Sequence, residues 1–425
     1  MGVGGAGVSA LARVFLARGD EVSGCDLRES DTTAALEDAG VRIEIGHDPE
    51  HVLFKDLLVY SGAIKSSPEL DAAKAMGVKV VSRAEMLAEL IADSDSIAVA
   101  GSAGKTTVTH MTGHILTEAG FDPTVLVGDG SSARAGRSRW LVAEVDESDG
   151  SLVLHHPKRA IVTNIEFDHP DHFKDVEAVQ EVFAQFVAGL PADGMAVLCA
   201  DDERARSLGT PARRVTYGFS PDADYRCAEG RPFAIHHEGR ELGRVNLRQP
   251  GRHNVQNATA AAAMALELGV SFADVAGALE RFPGAHRRLE YLGVFQGAPV
   301  YDDYAHHPTK VRATLQAARE LRGRRLIVVF QPHRYSRLAA LLRDFSHSFT
   351  GADRVLVVDV YSAGEDNPTG IQARDLADLL PNGTYVGSFE KARENLEGLV
   401  GPSDVLLLMG AGDIRKLGDE LAQKH

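Results

Sequence analysis

The chain has 425 residues, of which 44% are hydrophobic and 25% are charged. Because a domain averages ~150 residues, this length predicts two or three domains, and we expect three. The formal net charge of −15 argues against nucleic acid or an anionic membrane as a partner, since either would require a basic surface. No apolar run approaches the ~20 residues that cross a bilayer and no signal-like start is present, so we expect a cytoplasmic location. The three cysteines lack a Cys-x-x-Cys pair, which indicates neither a disulfide framework nor a thiolate metal site.

Residues 1–91 alternate short apolar runs with amphipathic stretches, a rhythm typical of a parallel sheet with crossover helices. The predicted elements are strands at Glu21–Gly24, Leu57–Tyr60 and Val78–Val81 and helices at Leu11–Arg18 and Ser67–Met76. A glycine turn begins at the second residue, where no strand stands ahead to aim it. We hypothesise that the first strand of this domain is missing, through truncation or a mis-assigned start codon, which intact-mass analysis of the native protein would test.

The glycine turn contains Gly2, Gly4, Gly5 and Gly7, and Asp26 follows the first predicted strand. Glycines let a backbone approach a pyrophosphate, a helix N-terminus favours its charge, and a carboxylate can hold a ribose hydroxyl. NAD, FAD and a UDP-sugar all satisfy these conditions, and so does an ordinary tight turn of an α/β domain. The turn therefore predicts a Rossmann-like domain without choosing its ligand.

A second domain is predicted over residues 92–288. Its strand Ser96–Ala100 runs through a glycine-rich loop, residues 101–107, into a helix expected at Thr106–Ala119. Such a loop cradles phosphates with backbone N–H groups, while Lys105 supplies a charge and the Thr106 hydroxyl can reach Mg²⁺. We therefore predict a central P-loop ATPase-type parallel sheet. Its other expected elements are strands at Trp140–Glu144, Ala160–Asn164 and Met195–Cys199 and an Ala-rich helix at Asn254–Leu268.

Acidic side chains follow the strand Trp140–Glu144. Oxygen ligands at a strand end beside a phosphate loop suit Mg²⁺, and Glu144, nearest the strand, is the predicted ligand. The carboxylates after it also fit a solvated acidic loop; they are Asp146, Glu147 and Asp149.

The next predicted strand end repeats this design with Asn164, Asp168 and His169. A lone histidine is more often an ordinary surface residue, but beside an amide and a carboxylate a metal or phosphate role is favoured for His169. A third domain, residues 289–425, is expected to be another Rossmann-like α/β unit. Its predicted strands are Val300–Asp302, Arg325–Phe330, Arg354–Asp359 and Asp404–Met409.

Several ordered blocks resemble the Mur ligase family, and the likeness spans essentially the whole chain. The blocks are Gly104–Thr107, Glu144–Asp149, Thr163–His169, Gly251–Ala258, Arg287–Arg288 and Tyr301–Thr309. Within the family, Phe330–Arg337 resembles the branch that adds L-alanine to UDP-N-acetylmuramate. The branch that recycles murein tripeptide shares a block like Tyr301–Thr309 but lacks this run, and it is kept as the alternative.

The resemblance implies an ATP-dependent amide-forming ligase of peptidoglycan precursor synthesis that works through an acyl phosphate and releases ADP and phosphate. It places ATP on Gly101, Ser102, Ala103, Gly104, Lys105, Thr106, Thr107, His253, Asn254, Asn257, Arg288 and Asp303. It places the UDP-sugar on Gly2, Gly4, Gly5, Gly7, Asp26, Ser61, Ala63 and Ile64, and Mg²⁺ on Thr106, Glu144 and His169. The implied catalytic residues are Lys105, His306, Arg334 and Arg337.

By the same resemblance, His306 and the two arginines would hold the amino acid and the leaving phosphate, since a guanidinium fork matches carboxylate and phosphate. The spacing of three predicts that Arg334 and Arg337 share one helix face, with an ordinary surface pair as the alternative. The expected partners are the small molecules UDP-N-acetylmuramate, L-alanine and ATP, and the chain is expected to be a monomer or homodimer. Because the implied site draws on two domains, we expect domain closure to complete it and exclude water.

Two departures from the family pattern stand out. Ser102 and Ala103 occupy positions where the L-alanine-adding branch usually has Thr and His, and Phe167 and Pro170 differ beside His169. We expect activity to be retained, because the backbone donors of the loop survive. A nicotinamide-dependent oxidoreductase would explain the N-terminal glycines but leaves residues 101–107 without a role. A P-loop switch protein would turn over nucleotide without regard to sugar or amino acid.

Overall fold

The structure is a computed structural model that describes residues 1–128, 133–170, 172–321, 323 and 325–422. The chain divides into two compact units. The first unit comprises Met1–Glu166, Glu177–Asn246 and Gln256–Phe282, and the second comprises Phe167–Val176, Leu247–Val255 and Pro283–His425. Strands alternate with helices in both units, which confirms the predicted α/β class. The two boundaries between the three predicted domains stay a prediction.

The first unit begins with two separate pairs of parallel strands. The elements are α1 (Ala6–Arg18), β1 (Ser23–Asp26), α2 (Asp31–Asp38), β2 (Arg42–Ile45), a 3₁₀ turn (Pro49–Val52), β3 (Leu57–Tyr60), α3 (Pro68–Met76), β4 (Lys79–Ser82) and α4 (Arg83–Ala92). Strand β1 pairs with β2, and β3 pairs with β4. The Gly2 amide donates to the Cys25 carbonyl at 2.9 Å, and the Met1 carbonyl accepts from Ser61 at 3.2 Å. Residues 1 and 2 therefore link the two strand pairs through their backbone.

Residues 95–281 contain a nine-stranded sheet and its helices within the described part of the chain, and residues 167–176 and 247–255 of this range belong to the second unit. Its elements are β5 (Asp95–Ala100), α5 (Lys105–Glu118), β6 (Thr124–Leu126), β7 (Trp140–Glu144), a 3₁₀ turn (Ser151–Leu154), β8 (Arg159–Val162), α6 (Val176–Ala188), β9 (Met195–Cys199), α7 (Glu203–Ser207), β10 (Arg213–Gly218), β11 (Tyr225–Cys227), β12 (Phe233–His237), β13 (Arg240–Val245), α8 (Arg252–Glu267) and α9 (Phe272–Arg281). The strand order is β13-β12-β11-β10-β9-β8-β5-β7-β6, parallel from β6 to β11 and antiparallel beyond.

The second unit contains a six-stranded sheet within the described residues, in the order β14-β15-β19-β16-β17-β18. Its elements are β14 (Glu290–Phe295), β15 (Ala298–Asp303), α10 (Pro308–Ala318), β16 (Leu326–Phe330), α11 (Tyr335–Ser346), β17 (Arg354–Val358), α12 (Ala373–Leu379), β18 (Gly383–Gly387), α13 (Phe389–Leu399), β19 (Val405–Met409) and α14 (Arg415–Leu421). Strand β16 alternates its side chains between two cores: Val328 and Phe330 join one, and Ile327 and Val329 the other. Burial on both faces explains why this strand is an unbroken apolar run.

Every strand predicted from the sequence has a counterpart, although Glu21–Gly24 is shifted by two residues to β1 and Ala160–Asn164 ends earlier, at Val162. Eight strands were not predicted: the parallel strands β2, β6, β10, β11 and β18 and the antiparallel strands β12, β13 and β14. No helix of the described residues is long and apolar enough to cross a membrane.

Candidate active site

The glycine-rich loop between β5 and α5 adopts backbone conformations that only glycine takes readily. Gly101 has φ +141° and Gly104 has φ +87°. A Cβ on Gly101 would lie 1.9 Å from the Thr163 hydroxyl oxygen, and one on Gly104 would lie 2.7 Å from Asn257 Oδ1. Both glycines are therefore required by the closeness of neighbouring side chains, and Asn257 lies beside the loop, as the predicted ATP site needs.

Polar groups that follow β8 fasten this loop. The Thr163 hydroxyl donates to the Ala103 carbonyl at 2.6 Å, and Asn164 Oδ1 accepts from the Ala103 amide at 2.8 Å. The Ser102 hydroxyl accepts from the Glu166 amide at 2.8 Å. Asn164 thus holds the loop, and Ser102, the first departure from the family pattern, has a structural partner.

Lys105 faces carboxylates from the segment after β7. Its Nζ lies 2.7 Å from Glu147 Oε2 and 3.2 Å from Asp146 Oδ1. Although burial alone would lower it, the carboxylates of Glu147, Asp146 and Glu144 raise the pKa of Lys105, so the side chain stays charged. Glu147 is only 1% exposed, so the solvated-loop interpretation is wrong for this residue. Among the described residues, its Oε1 has no hydrogen-bond partner.

Glu144 lies where a cation beside the loop would need it. The Thr106 hydroxyl donates to Glu144 Oε1 at 3.2 Å, and Glu144 Oε2 accepts from the Gly128 amide at 2.8 Å. A hydroxyl and a carboxylate next to a charged lysine form an oxygen-only donor set, which fits a hard divalent cation such as Mg²⁺.

The N-terminal glycine turn is closed by hydrogen bonds and by Asp26. The Gly5 amide donates to the Gly2 carbonyl at 3.1 Å, and the Gly4 amide donates to Asp26 Oδ2 at 2.8 Å. A Cβ on Gly2 would lie 3.0 Å from Ser61 Cβ and 3.3 Å from Ile64 Cδ1. The Ala63 amide reaches the Ser61 hydroxyl at 3.4 Å. The structure thus brings the predicted UDP-sugar residues together, and one oxygen of Asp26 fixes the turn itself.

A cleft of about 210 Å³ opens near this turn within the first unit. Arg83, one of its lining residues, crosses the turn so closely that a Cβ on Gly7 would lie 2.3 Å from its Cδ. The other lining residues are Tyr60, Gly62, Ser82, Ala84, Glu85, Asp149, Ser151 and Leu154. Sequence reasoning did not single out Arg83, because its closeness to Gly7 appears only after folding.

In the second unit, Asp168 is a buried carboxylate surrounded by cations. Nε and Nη2 of Arg337 each lie 2.9 Å from its Oδ1, and Lys310 Nζ lies 3.6 Å from Oδ2. Burial alone would raise the pKa of Asp168, but Lys310 and Arg337 hold it well below its usual range. His169 Nε2 is 3.9 Å from the same carboxylate. Two permanent cations against one carboxylate leave this cluster net positive, which suits an anionic ligand.

His306 lies in the same cluster and is only 8% exposed. Its Nδ1 is 2.7 Å from the Tyr304 carbonyl oxygen, which assigns the proton to Nδ1 and leaves Nε2 as an acceptor. Burial, together with Lys310 and Arg337, holds the pKa of His306 well below its ordinary range. His306 is therefore a neutral imidazole whose Nε2 can accept a hydrogen bond from a ligand.

The prediction that Arg334 and Arg337 share one helix face is wrong. Helix α11 begins at Tyr335, and Arg334 precedes it with φ +69°. Nη1 of Arg334 pairs with Glu365 Oε1 at 3.2 Å, whereas Arg337 is 2% exposed and turns to Asp168. The left-handed residue before the helix breaks the spacing of three, so the two guanidinium groups point to different partners. The surface-pair alternative fails for Arg337 as well.

The remaining predicted ATP residues of the second unit have defined neighbours. Burial and the charge of Arg288 lower the pKa of His253 to about 4. Asn254 Nδ2 donates to the Pro250 carbonyl at 2.7 Å, and the Arg288 guanidinium lies 5.1 Å from the centre of the Tyr304 ring. Asp303 accepts from the amides of Leu289 and Ala305 and from the Thr314 hydroxyl, at 2.8, 2.9 and 3.0 Å. Asp303 is thus bound within its own unit, and the nucleotide contacts of these residues stay predictions.

Sequence reasoning missed Lys310 and did not single out Glu147. Lys310 follows the histidine pair of the Tyr301–Thr309 block by three residues in the first turn of α10, which was the available signal. Glu147 was seen but not distinguished from its acidic neighbours, because spacing does not tell which carboxylate turns inward.

Comparison with known proteins covers all three regions. The Mur ligase family catalytic-domain model matches residues 1–95, the Mur ligase middle-domain model matches 99–265, and the model of the Mur ligase glutamate ligase domain matches 287–412. The UDP-N-acetylmuramate–L-alanine ligases of Rubrobacter xylanophilus and Aquifex aeolicus are 44% and 41% identical. The alignments cover 99% and 100% of this chain and 98% and 96% of those proteins.

Two solved structures match nearly the whole chain. UDP-N-acetylmuramate–alanine ligase MurC of Thermotoga maritima is 28% identical with a TM-score of 0.83, covering 99% of this chain and 96% of that one. A murein peptide ligase of Psychrobacter arcticus is 26% identical with a TM-score of 0.72, at the same coverage.

A phosphate loop that follows a central parallel strand, with a charged lysine and a carboxylate at the neighbouring strand end, defines a P-loop nucleotide-binding enzyme. The family models and full-length relatives narrow this class to one family. The chain belongs to the Mur ligase family.

Proposed function

We propose that this chain is an ATP-dependent ligase that joins L-alanine to UDP-N-acetylmuramate in the cytoplasmic synthesis of peptidoglycan precursors. The observation that carries the proposal is the phosphate loop around Lys105. Beside it, the Thr106 hydroxyl lies 3.2 Å from Glu144 Oε1. The net positive cluster around Asp168 and the neutral His306 supports the second half of the reaction. The full-length likeness to L-alanine ligases supports the choice of amino acid.

In this proposal, ATP lies on the loop, with its phosphates against the backbone N–H groups and Lys105. The lactyl carboxylate of the sugar attacks the γ-phosphate, which gives an acyl phosphate and ADP. The charge of Lys105 stabilises the negative charge that spreads over the transferring phosphoryl group. Thr106 and Glu144 would hold Mg²⁺, which when bound supplies Lewis-acid stabilisation of the same charge.

The amine of L-alanine then attacks the acyl carbon and phosphate leaves. The amine must lose a proton, and Nε2 of His306 is the acceptor that we propose, because Nδ1 already carries the proton directed at Tyr304. Arg337 and Lys310 would attract the carboxylate of the amino acid or the leaving phosphate. Arg337 is held by Asp168, so its position is fixed before a ligand arrives.

The test is phosphate release by purified protein with ATP, Mg²⁺ and UDP-N-acetylmuramate, with L-alanine, glycine, L-serine or murein tripeptide as the amine. We expect release that requires both the sugar and L-alanine. A preference for tripeptide would move the chain to the recycling branch of the family. Release that ignores sugar and amine would indicate a nucleotide switch, and the absence of release with every amine would contradict the proposal.

A further inference from the structure

Four side chains in the first unit meet at a place that the proposed reaction does not use. Cys25 comes from β1, His47 follows β2, His51 lies in the 3₁₀ turn Pro49–Val52, and Glu69 lies in the first turn of α3. The glutamate is 0% exposed and Cys25 is 5% exposed, while the side chains of His47 and His51 are 33% and 19% exposed. A thiol, two imidazoles and a carboxylate are the common protein ligands of zinc.

The spacing of the ligand atoms fits one metal ion. In a tetrahedral site with bonds of ~2.0–2.3 Å, ligand atoms stand roughly 3.3–3.8 Å apart. Glu69 Oε1 lies 3.8 Å from Cys25 Sγ and 3.4 Å from His51 Nδ1. The ligand atoms of these three residues all lie within 4.8 Å of one another. Three convergent ligands leave a fourth position for water.

Two further observations favour the binding of a cation at this cluster. Among the described residues, Nδ1 of His51 is buried and has no hydrogen-bond partner, although it faces the carboxylate. The ion pairs of the Glu69 side chain in the described chain are with His47 and His51, and the Met1 ammonium also attracts this carboxylate electrostatically. A buried ring nitrogen without a hydrogen-bond partner beside a buried carboxylate and a thiol is what a bound cation would satisfy.

His47 contacts the carboxylate of Glu69 and helps to orient it. Its Nδ1 lies 2.9 Å and 3.0 Å from the two oxygens of Glu69, and the Asp48 amide donates to Oε1 at 3.1 Å. Such hydrogen bonds orient a carboxylate ligand. Since the two histidines reach the surface, an ion has a route into the site.

We propose that Cys25, His51 and Glu69 form a binding site for a zinc-like divalent ion, oriented by His47. Binding exchanges the thiol proton of Cys25, released to solvent, for a metal–thiolate bond, and no redox step is involved. The ion ties β1, the 3₁₀ turn and α3 together next to Asp26, which holds the glycine turn. None of its three ligands is used in the proposed ligase reaction.

The test uses Co²⁺ as a spectroscopic probe on the full chain, after chelator treatment and in the presence of a non-thiol reductant. We expect binding of about one equivalent with a near-ultraviolet thiolate-to-cobalt charge-transfer band. The band should vanish in C25S and persist in C199S, which removes another buried free cysteine. Addition of Zn²⁺ should displace the probe and erase the band.

Two histidine variants keep the test decisive if C25S does not fold. H51N should weaken Co²⁺ binding by about 10-fold or more, whereas H347N, at an exposed position in the second unit, should leave it unchanged. Far-ultraviolet circular dichroism checks the fold of each variant. Absence of the thiolate band in the wild-type chain, or a band that C25S and H51N leave intact, would overturn the proposal.

Discussion

Lys105 is held before any nucleotide arrives. Its ammonium group lies between Glu147 and Asp146 and is largely withdrawn from water, with 12% of its side chain exposed. Nucleotide binding must therefore redirect a charge that already has partners. In a buried pair, removal of one partner is costly because the other charge remains without compensation.

We expect K105M to lower the free energy of unfolding by about 3 kcal/mol, because Glu147 then stays buried without its cation. The double variant K105M/E147L should recover most of this loss, since it removes both charges together. Both variants should lose phosphate release by about 10²-fold or more, because the positive charge at the γ-phosphate is absent. Urea unfolding followed by Trp140 fluorescence and a phosphate assay measure the two effects. Equal stability losses in both variants would contradict the coupling.

The residues at the loop show what sequence can and cannot predict. Lys105 and Thr106 were predicted because a loop of this type between a strand and a helix fixes their position. The inward turn of Glu147 and the contact between Arg337 and Asp168 depend on tertiary contacts, which local spacing does not encode. The proposed metal ligands Cys25, His51 and Glu69 are 26 and 18 residues apart along the chain. No short cysteine motif could therefore predict them.

At the level of elements, the join between β5, the loop and α5 depends on the conformation of Gly101. Its φ of +141° is unfavourable for any residue with a Cβ, and the nearest obstacle is the Thr163 side chain that holds Ala103. Strain and collision act together here, because Thr163 cannot retreat without releasing the loop.

We expect G101A to destabilise the first unit by about 2 kcal/mol or more and to abolish phosphate release. The matched control is G209A, also in the first unit, where a Cβ would meet nothing within 4 Å. That change should alter stability by less than about 1 kcal/mol and leave activity intact. Thermal unfolding and the phosphate assay provide the measurements. A G101A protein as stable and active as G209A would show that the loop tolerates another path.

The parallel strands that were predicted are mostly short, continuous apolar runs, as burial on both faces requires. The parallel strands β2, β6, β10, β11 and β18 were not predicted. Strands β12 and β13 escaped because their pattern is half-polar: β13 carries Arg240, Glu241 and Arg244 and is largely exposed. Arg334 was misplaced because helix periodicity was extended one residue too far. A left-handed residue at a helix start leaves no trace in side-chain spacing.

At the scale of the whole molecule, buried histidines are unevenly distributed. Desolvation lowers the pKa of four of them to about 4; they are His155, His253, His307 and His333. His155 belongs to the first unit and the other three belong to the second. Because the folded-state pKa lies below the unfolded value of about 6.5, protonation favours unfolding. Their stabilising contribution is complete above that value and is lost as the pH falls toward 4.

We therefore expect the second unit to be the more acid-sensitive one, with up to ~3 kcal/mol lost for each histidine by pH 4. The single tryptophan, Trp140, lies in the first unit, so its fluorescence follows that unit alone. The measurement is urea unfolding at pH 7.5 and at pH 5, followed by circular dichroism and by Trp140 fluorescence. Between the two pH values, we expect the urea midpoint of the transition seen by circular dichroism alone to fall more than the midpoint seen by Trp140. Midpoints that fall together at both probes would contradict this distribution of acid sensitivity.

The order of strands in the nine-stranded sheet also bears on synthesis of the chain. Strand β5 aims the phosphate loop, yet its two neighbours are β7 and β8, which come later in the sequence. The groups that fasten the loop, Thr163 and Asn164, follow it by about 60 residues, which a ribosome translating ~5–20 residues per second needs roughly 3–12 s to add. During that interval β5 is apolar and unpaired. We therefore expect a chaperone at the ribosome exit to bind it.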